Sequence, residues 1–405
     1  MHAQRTEARS NRKGHRNWDK DKLVHKRLFL NGLKYLLGFV LLAYVVWRSW
    51  SAPPGSHGFG LKDALARPIQ LIPLAMATII YSVAIVFTFL RWYTLVRAQE
   101  LPFSLSSAFR LGLVGLFWNT FLPGSVGGDL VKAAFLIREQ DRRTVAVATV
   151  LIDRALALWG ILFLVPFLGG LFWVFGEPVV CDDAYLQTLI VSSGVIFAVS
   201  IVLWAVLGFL PAWRAERFAD RLEKIRRVGP SAAEFWRAVW MYRAKGVSVA
   251  IAFMLSLCTQ FCLVLAIYFT AQIFQNPAEL AIPSLALHFL LVPIGIAVQA
   301  LFPSPGGVGG GEFIFGWLYA RVDPSMEPAG VLASLGKLII GWGLGLVGYF
   351  VYLRMRPCLR SEAELAAADV MTRPPLATAS HRRDWPMSFP GVPDGKEAEP
   401  DHKRG

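Results

Sequence analysis

Apolar blocks alternate along the chain with short polar stretches rich in lysine and arginine. An uninterrupted block of ~20 apolar residues is long enough for a helix to cross the ~30 Å hydrocarbon core of a bilayer. Because the apolar residues are continuous rather than alternating, they predict helices and not the strands of a membrane barrel. Six blocks predict full membrane spans: residues 28–47, 69–90, 144–172, 185–210, 247–270 and 330–353.

Two further apolar segments are interrupted by glycine and proline, at residues 123–129 and 303–312. The apolar arm before the first interruption, residues 108–122, would be only about 22 Å long as a helix, which is too short to span the membrane. The pattern predicts two re-entrant hairpins. Because the two interruptions resemble each other, it also predicts an inverted repeat, an architecture typical of secondary transporters. Eight full spans remain the alternative if residues 282–302 cross the membrane.

The composition agrees with a membrane protein. The chain has 405 residues, of which 55% are hydrophobic and 17% are charged. Soluble domains are typically ~45–50% apolar and ~25% charged. The net charge of +13 would suggest nucleic acid in a soluble protein, but no recognition motif accompanies it, so no nucleic-acid partner is predicted.

The distribution of basic residues predicts the orientation in the membrane. Residues 1–27 contain nine Lys/Arg and three acids, and residues 211–246 contain nine Lys/Arg and four acids. The loops at 176–184 and 271–280 have no lysine or arginine. By the positive-inside rule, both termini are expected in the cytoplasm, and the two hairpins enter from opposite faces.

The predicted organisation has three parts. A basic cytoplasmic tail (1–27) precedes a transmembrane domain (28–353), and a tail rich in polar residues (354–405) is expected to be disordered. Within the basic loop at 211–246, apolar residues recur at helical spacing, which predicts an amphipathic helix on the cytoplasmic surface. These residues are Trp213, Phe218, Leu222 and Ile225.

Charged residues inside apolar segments cost about 2.5–3.5 kcal/mol each on insertion scales and are therefore functional candidates. Arg154 lies about 15 Å from the cytoplasmic end of its predicted helix, so it must meet a carboxylate or an anionic ligand. Its neighbour Asp153 points ~100° away and need not pair with it. The charged residues in or beside apolar segments are Arg110, Asp129, Lys132, Asp153, Arg154, Glu312 and Lys337.

Two interpretations of these charges remain open. In the first, Arg154 and Lys132 hold a phosphate-type headgroup, while Asp153 and Asp129 orient them or transfer protons. In the second, the charges form structural ion pairs that lock the hairpins to the bundle. Lys132 and Arg110 also have the alternative of snorkelling to the cytoplasmic interface.

The glycine-rich turns are the second candidate feature, because free backbone N–H groups at a helix start can bind an anion. Asp129 and Glu312 are also positioned to cap those donors themselves. Lys337 is expected to pair with Glu312 or to meet a ligand. The complete set of predicted substrate-binding residues is Asn119, Pro123, Gly124, Gly127, Gly128, Asp129, Lys132, Asp153, Arg154, Pro305, Gly306, Gly307, Gly309, Glu312 and Lys337.

Residues 119–132 resemble the first signature of the lysylphosphatidylglycerol synthetase transmembrane, or flippase-like, family. The adjacent Asp153 and Arg154 match the Asp-Arg pair of that family, and residues 303–312 resemble its second glycine-rich segment. The resemblance covers about residues 28–353. It implies a bacterial inner-membrane protein that handles lipids or lipid-linked sugars.

The resemblance also implies what this chain lacks. Two-part members carry a soluble aminoacyl-transferase domain after the membrane part, whereas only a short polar segment follows residue 353 here, so synthetase activity is not expected. No catalytic residue, metal site or cofactor is predicted.

The predicted function is a lipid flippase or scramblase. The alternatives are a non-transporting accessory protein that recruits envelope-synthesis enzymes through residues 211–246, and an intramembrane transferase. The lipid and the oligomeric state are left open.

Overall fold

The structure is a computed structural model, and it describes residues 32–51, 60–121, 127–139, 143–209, 211–225, 229–274, 282–302 and 304–372. Every regular element in these ranges is helical. The α-helices are α1 (32–48), α2 (Leu61–Leu65), α3 (Leu71–Ala98), α4 (Leu105–Phe121), α5 (Gly127–Glu139), α6 (Arg143–Val174), α7 (Pro178–Cys181), α8 (Ala184–Phe209), α9 (Ala212–Glu223), α10 (Gly229–Ala244), α11 (Gly246–Gln272), α12 (Leu285–Gln299), α13 (Gly310–Val322) and α14 (Glu327–Thr372). The predicted tail at 1–27, residues 373–405 of the predicted C-terminal tail, and the turn residues Pro123 and Gly124 lie outside the described residues.

Five helices are long and apolar enough to cross a membrane, and each corresponds to a predicted block. They are Leu71–Ala98, Thr144–Val174, Ala184–Leu207, Gly246–Gln272 and Pro324–Met355. The sixth predicted block coincides with α1, whose described part is 17 residues long at residues 32–48. The prediction of an all-helical, polytopic membrane protein is confirmed.

Two helices continue further than the pattern predicts. Helix α3 was expected to end at Leu90, but it continues through Arg91 to Ala98. Helix α14 continues beyond Leu353 to Thr372. Arg91 therefore lies within a spanning helix and not in a polar loop. It does not end the helix, because a carboxylate from another helix neutralises it.

The basic segment at 211–246 forms two helices. Helix α9 corresponds to the predicted amphipathic helix, whereas α10 was not predicted. The two helices pack against each other. Helix α9 buries Ala215 and Ala219 and leaves Trp213 and Phe218 exposed, so its apolar residues are divided between a packed face and an open face.

Two pairs of short helices pack within the bundle of spanning helices. Helices α4 and α5 contact each other and also α6 and α14, while α12 and α13 contact each other and also α6, α11 or α14. The two pairs approach each other where the turn after α12 meets the end of α4. A Cβ added to Gly306 there would be 3.7 Å from the Thr120 carbonyl oxygen. Helix α14 contacts both pairs and so connects the two halves of the bundle.

Candidate functional site

A buried ion pair joins α3 to α6. Arg91 Nε donates to Asp153 Oδ1 at 2.7 Å, and Arg91 Nη2 donates to Asp153 Oδ2 at 3.2 Å. Arg91 Nη1 donates to Ser256 Oγ of α11 at 3.0 Å. Arg91 and Asp153 are both only 4% exposed. The guanidinium group of Arg91 therefore connects its own helix, α3, to α6 and α11. Its two hydrogen bonds to the Asp153 carboxylate fix its orientation.

A second carboxylate is shared by two cations. Asp129 of α5 accepts a hydrogen bond from Arg154 Nε through Oδ2, and its Oδ1 lies 3.6 Å from Lys132 Nζ. Lys132 is buried, and its ammonium lies 5.5 Å from the centre of the Trp92 ring. Lys132 therefore points into the bundle and does not snorkel to the interface, which corrects that alternative.

At the start of α5, side-chain and backbone atoms of α4 occupy the space next to Gly128. Asn119 Oδ1 accepts a hydrogen bond from the Gly128 backbone N–H at 2.7 Å. Helix α4 approaches so closely that a Cβ on Gly128 would lie 1.9 Å from the Gly115 carbonyl oxygen. Glycine is therefore required here by packing. Gly127 is the first residue of α5.

The second glycine-rich turn forms a separate polar cluster. Glu312 is fully buried; its Oε2 accepts the Gly309 N–H at 2.6 Å and its Oε1 accepts the Ser334 hydroxyl at 3.1 Å. Lys337 donates to Gln299 Oε1 rather than pairing with Glu312. The Gln299 amide also donates to the Gly306 carbonyl at 3.4 Å.

Backbone geometry explains the glycines of this turn. Gly306, Gly307 and Gly309 have φ values of +60°, +75° and +81°, which disfavour residues with a Cβ atom. Pro305 begins the short 3-10 turn Pro305–Gly307. These residues shape the turn that lets Glu312 cap the start of α13.

A cavity of about 170 Å³ lies among α3, α4, α5, α6 and α11. Since a water molecule occupies ~30 Å³ in the liquid, the cavity has room for several waters or a small headgroup. Arg154 reaches this space: its side chain is 40% exposed, against 4% for Asp129. The lining residues are Tyr81, Ala84, Ile85, Thr88, Phe89, Arg91, Gly112, Leu116, Asn119, Lys132, Asp153, Arg154, Thr259 and Leu263.

Apart from Gly127 and Gly128 at the start of α5, the predicted site residues that the structure describes fall into two groups. Asn119, Lys132, Asp153 and Arg154 line the cavity, with Asp129 directly behind them. The second group surrounds the turn before α13 and does not line the cavity. It comprises Gly306, Gly307, Gly309, Glu312 and Lys337, together with Pro305, which begins the turn.

Arg91 is the site residue that the sequence pattern missed. It follows directly after an apolar block and so resembles the flank of a span. The signal that it lies inside the helix is the further apolar run after it, which includes Trp92, Leu95 and Val96, all buried. Among the described residues, no group of three or more His, Cys, Asp or Glu side chains could hold a metal ion.

Comparison with known proteins agrees with this architecture. The family model described as the lysylphosphatidylglycerol synthase TM region matches residues 35–348. A UPF0104 membrane protein of Methanothermobacter thermautotrophicus is 24% identical over 311 residues, which cover 71% of this chain and 86% of that protein. No solved structure matches. The multi-pass helical fold and the extent of the family match together show that the chain belongs to the lysylphosphatidylglycerol synthase transmembrane-region family.

Proposed function

We propose that the protein binds the negatively charged headgroup of a lipid or lipid-linked saccharide in the cavity between α3 and α6 and moves it across the membrane. The role is non-catalytic. The observation that supports this proposal best is the unequal number of charges around the cavity. Arg91, Lys132 and Arg154 contribute three cations, and Asp129 and Asp153 contribute two carboxylates.

The surplus positive charge has a definite location. Arg91 directs three of its donors to Asp153 and Ser256. Lys132 and Arg154 share the single carboxylate of Asp129. An unbalanced buried charge is costly in a low-dielectric interior. A headgroup with one net negative charge would balance the pair of cations, whereas a zwitterionic headgroup would not.

In this proposal, α4–α5 and α12–α13 are the two re-entrant hairpins. Their helices have 17, 13, 15 and 13 residues, and at 1.5 Å per residue even α4 reaches only about 26 Å. None matches the ~30 Å core. The proposal requires that each hairpin begin and end at the same face of the bundle.

Contacts between helix ends support the first hairpin. At the end of α3, the Gln99 side chain donates to the Ala238 carbonyl of α10 at 2.9 Å. At the start of α6, Ala146 packs in one cluster with Ala238. The end of α3 and the start of α6 are thus at one level, and the α4–α5 pair lies between them in the chain.

Corresponding contacts support the second hairpin at the opposite end. Phe274, just after α11, packs in one cluster with Val331 and Leu332 at the start of α14. Arg321, at the end of α13, forms an ion pair with Asp183 at the start of α8, with 3.2 Å between Nη1 and Oδ2. Two oppositely directed hairpins would form the inverted repeat that allows alternating access.

The basic segment at 211–246 indicates how the protein is oriented in the membrane. It includes α9 and α10, which lie at the end where α3 finishes and α11 begins. By the positive-inside rule this end faces the cytoplasm. In this proposal both termini are cytoplasmic and the α4–α5 hairpin opens inward. The protein is proposed to lie in the inner membrane, as the family resemblance implies.

Reconstitution tests the transport proposal. Vesicles containing the full chain and a fluorescent lipid are treated with a membrane-impermeant quencher, and the flipped fraction is followed with phosphatidylglycerol and with phosphatidylcholine. We expect faster movement of the anionic lipid. In Arg154→Gln this movement should slow roughly tenfold or more, because a hydrogen bond to a charged group is worth about 1.5–3 kcal/mol. The exposed-residue control Arg97→Gln should show no loss. Wild-type movement equal to that in empty vesicles would overturn the proposal.

Cysteine accessibility tests the hairpins. After replacement of the native cysteines, single cysteines are placed at Ser125 and Ser304 and labelled from each side. Opposed hairpins predict that Ser125→Cys reacts from the cytoplasm and Ser304→Cys from outside. Reaction of both cysteines from one side would exclude the inverted arrangement. The transport proposal would then lose the two oppositely directed hairpins that allow alternating access.

A further inference from the structure

Helix α9 separates its charges onto two sides. The carboxylates Glu216, Asp220 and Glu223 face α10, where Arg237 Nη2 lies 2.7, 3.8 and 3.7 Å from their oxygens. This single arginine therefore gathers all three acids of the helix at the α9–α10 contact. The cations on the other side of α9 therefore do not form ion pairs with these three carboxylates.

The other side of α9 presents a row of such cations. Arg214, Arg217 and Arg221 are exposed and follow each other at intervals of three and four residues, so they share one helical face. Among the described residues, no carboxylate forms an ion pair with any of the three. The row therefore carries three positive charges that pair with no carboxylate among the residues that the structure describes.

Aromatic side chains border the same row and form a groove with it. The groove has a volume of about 410 Å³ and is lined by Trp213, Arg214, Arg217, Phe218, Arg221 and Trp236. Two of the guanidinium groups stack over the Trp213 ring, with 4.8 and 4.7 Å between the guanidinium carbon and the ring centre. Trp213 is nevertheless 49% exposed. A groove with a cationic row beside open aromatic surface fits a ligand that is part anion and part hydrocarbon.

The groove lies close to the bilayer surface. Helix α8 is apolar over its length and ends at Phe209, which is 87% exposed, as expected for a side chain that faces lipid. Helix α9 begins at Ala212, and three residues of chain span at most ~11 Å. The row of arginines is therefore within reach of the phosphate layer at the end of α8.

We propose that the α9–α10 groove binds the phosphodiester headgroup of an anionic glycerophospholipid of the surrounding bilayer. Arg214, Arg217 and Arg221 contact the phosphate, and Trp213 and Phe218 pack on the glycerol and the first acyl carbons. Guanidinium groups suit this role because they bind phosphate oxygens in pairs. This lipid is separate from the one proposed for the cavity, and its site anchors the cytoplasmic end of α8.

A probe attached to α9 tests the assignment without interference from the cavity. The full chain, with native cysteines replaced, is labelled with an environment-sensitive fluorophore at Lys224→Cys and placed in nanodiscs of phosphatidylcholine. A minor fraction of brominated phosphatidylglycerol or brominated phosphatidylcholine is then added as quencher. We expect stronger quenching by the anionic lipid, decreasing with salt because surface charges are screened.

Three variants identify the residues responsible. The triple variant R214Q/R217Q/R221Q should lower the preference for phosphatidylglycerol by about tenfold or more, since each basic residue near an anionic surface is worth ~1 kcal/mol. The triple lysine variant retains the charge and should keep most of the preference. The matched control R97Q/R110Q/R354Q removes three exposed arginines elsewhere and should behave as wild type.

Several outcomes would overturn the proposal. Equal quenching by the two lipids, or an undiminished preference in the glutamine variant, would show that the arginine row does not select anionic lipid. At constant ionic strength, displacement of the lipid by inorganic phosphate would assign a free anion, and displacement by a polyglutamate peptide would assign an acidic protein. If the triple glutamine variant does not fold, the three single glutamine variants make the same comparison.

Discussion

Asp153 and Arg154 are consecutive residues of α6, yet their side chains belong to two different ion pairs. Asp153 binds Arg91 of α3, and Arg154 binds Asp129 of α5. The separation follows from the ~100° between successive helical side chains. Helix α6 is thus connected to a spanning helix on one side and to a short helix on the other. A tilt of α5 would break the Arg154 pair and leave the Asp153 pair intact.

The Arg91–Asp153 pair is expected to be essential for stability. Removal of one partner of a buried pair leaves an uncompensated charge and typically costs about 3–5 kcal/mol. Asp153→Asn and Arg91→Gln should each lower the thermal unfolding temperature in detergent strongly, and the double variant should be less destabilised than the sum of the two. Strict additivity would show that the two side chains do not interact.

The shared carboxylate predicts opposite effects of two variants on lipid binding. Asp129→Asn leaves Lys132 and Arg154 without a partner and should strengthen the binding of anionic lipid, whereas Arg154→Gln removes the surplus charge and should weaken it. The measurement is the rise in unfolding temperature with added phosphatidylglycerol, compared with phosphatidylcholine. If both variants shift the lipid effect in the same direction, the charges are only structural.

Close packing at the start of α5 predicts that Gly128 cannot be replaced. In Gly128→Ala the new Cβ would lie 1.9 Å from the Gly115 carbonyl oxygen, so α4 and α5 must separate. Overpacking of this kind costs about 1–3 kcal/mol or more. The control is Gly343→Ala, where no atom lies within 4 Å of the new Cβ and the higher helix propensity of alanine favours the variant. Similar unfolding temperatures for the two variants would contradict this packing.

The cap at the start of α13 predicts a difference between two substitutions of Glu312. Glutamine has the same shape and can still accept the Gly309 N–H and contact the Ser334 hydroxyl. Alanine cannot, and loss of a cap costs about 0.5–2 kcal/mol. Hydrogen exchange at the first turn of α13 should therefore accelerate in Glu312→Ala and change little in Glu312→Gln. Equal acceleration would mean that the charge, and not the cap, holds the turn.

Much of the fold is predictable because membrane spans are long apolar runs. Helix α6 and helix α11 begin within one residue of the predicted blocks. The end of α3 was missed because a charged residue normally marks the end of a span. The carboxylate that allows Arg91 to remain inside lies 62 residues away, and no local pattern reveals that pairing.

The sequence predicted which residues belong to the site, but not which of them bind each other. The position of Arg154 deep in an apolar helix required a carboxylate or an anionic ligand. Asp129 and Asp153 were both expected to orient the cations, but the sequence did not show that Asp129 alone binds Arg154 while Asp153 binds Arg91. The expectation that Lys337 pairs with Glu312 or a ligand did not anticipate Gln299, which lies beside the turn and accepts from the lysine. These choices depend on which helix faces are in contact, and hydrophobic periodicity does not determine them.

The most direct measurement asks whether an anionic headgroup occupies the cavity. In a background without native cysteines, Leu263→Cys places a thiol on the α11 wall, and its reaction with a small water-soluble thiol reagent is timed in nanodiscs. The account predicts that phosphatidylglycerol slows the reaction relative to phosphatidylcholine and that Arg154→Gln abolishes this protection. A reaction rate that is the same in both lipids would contradict it.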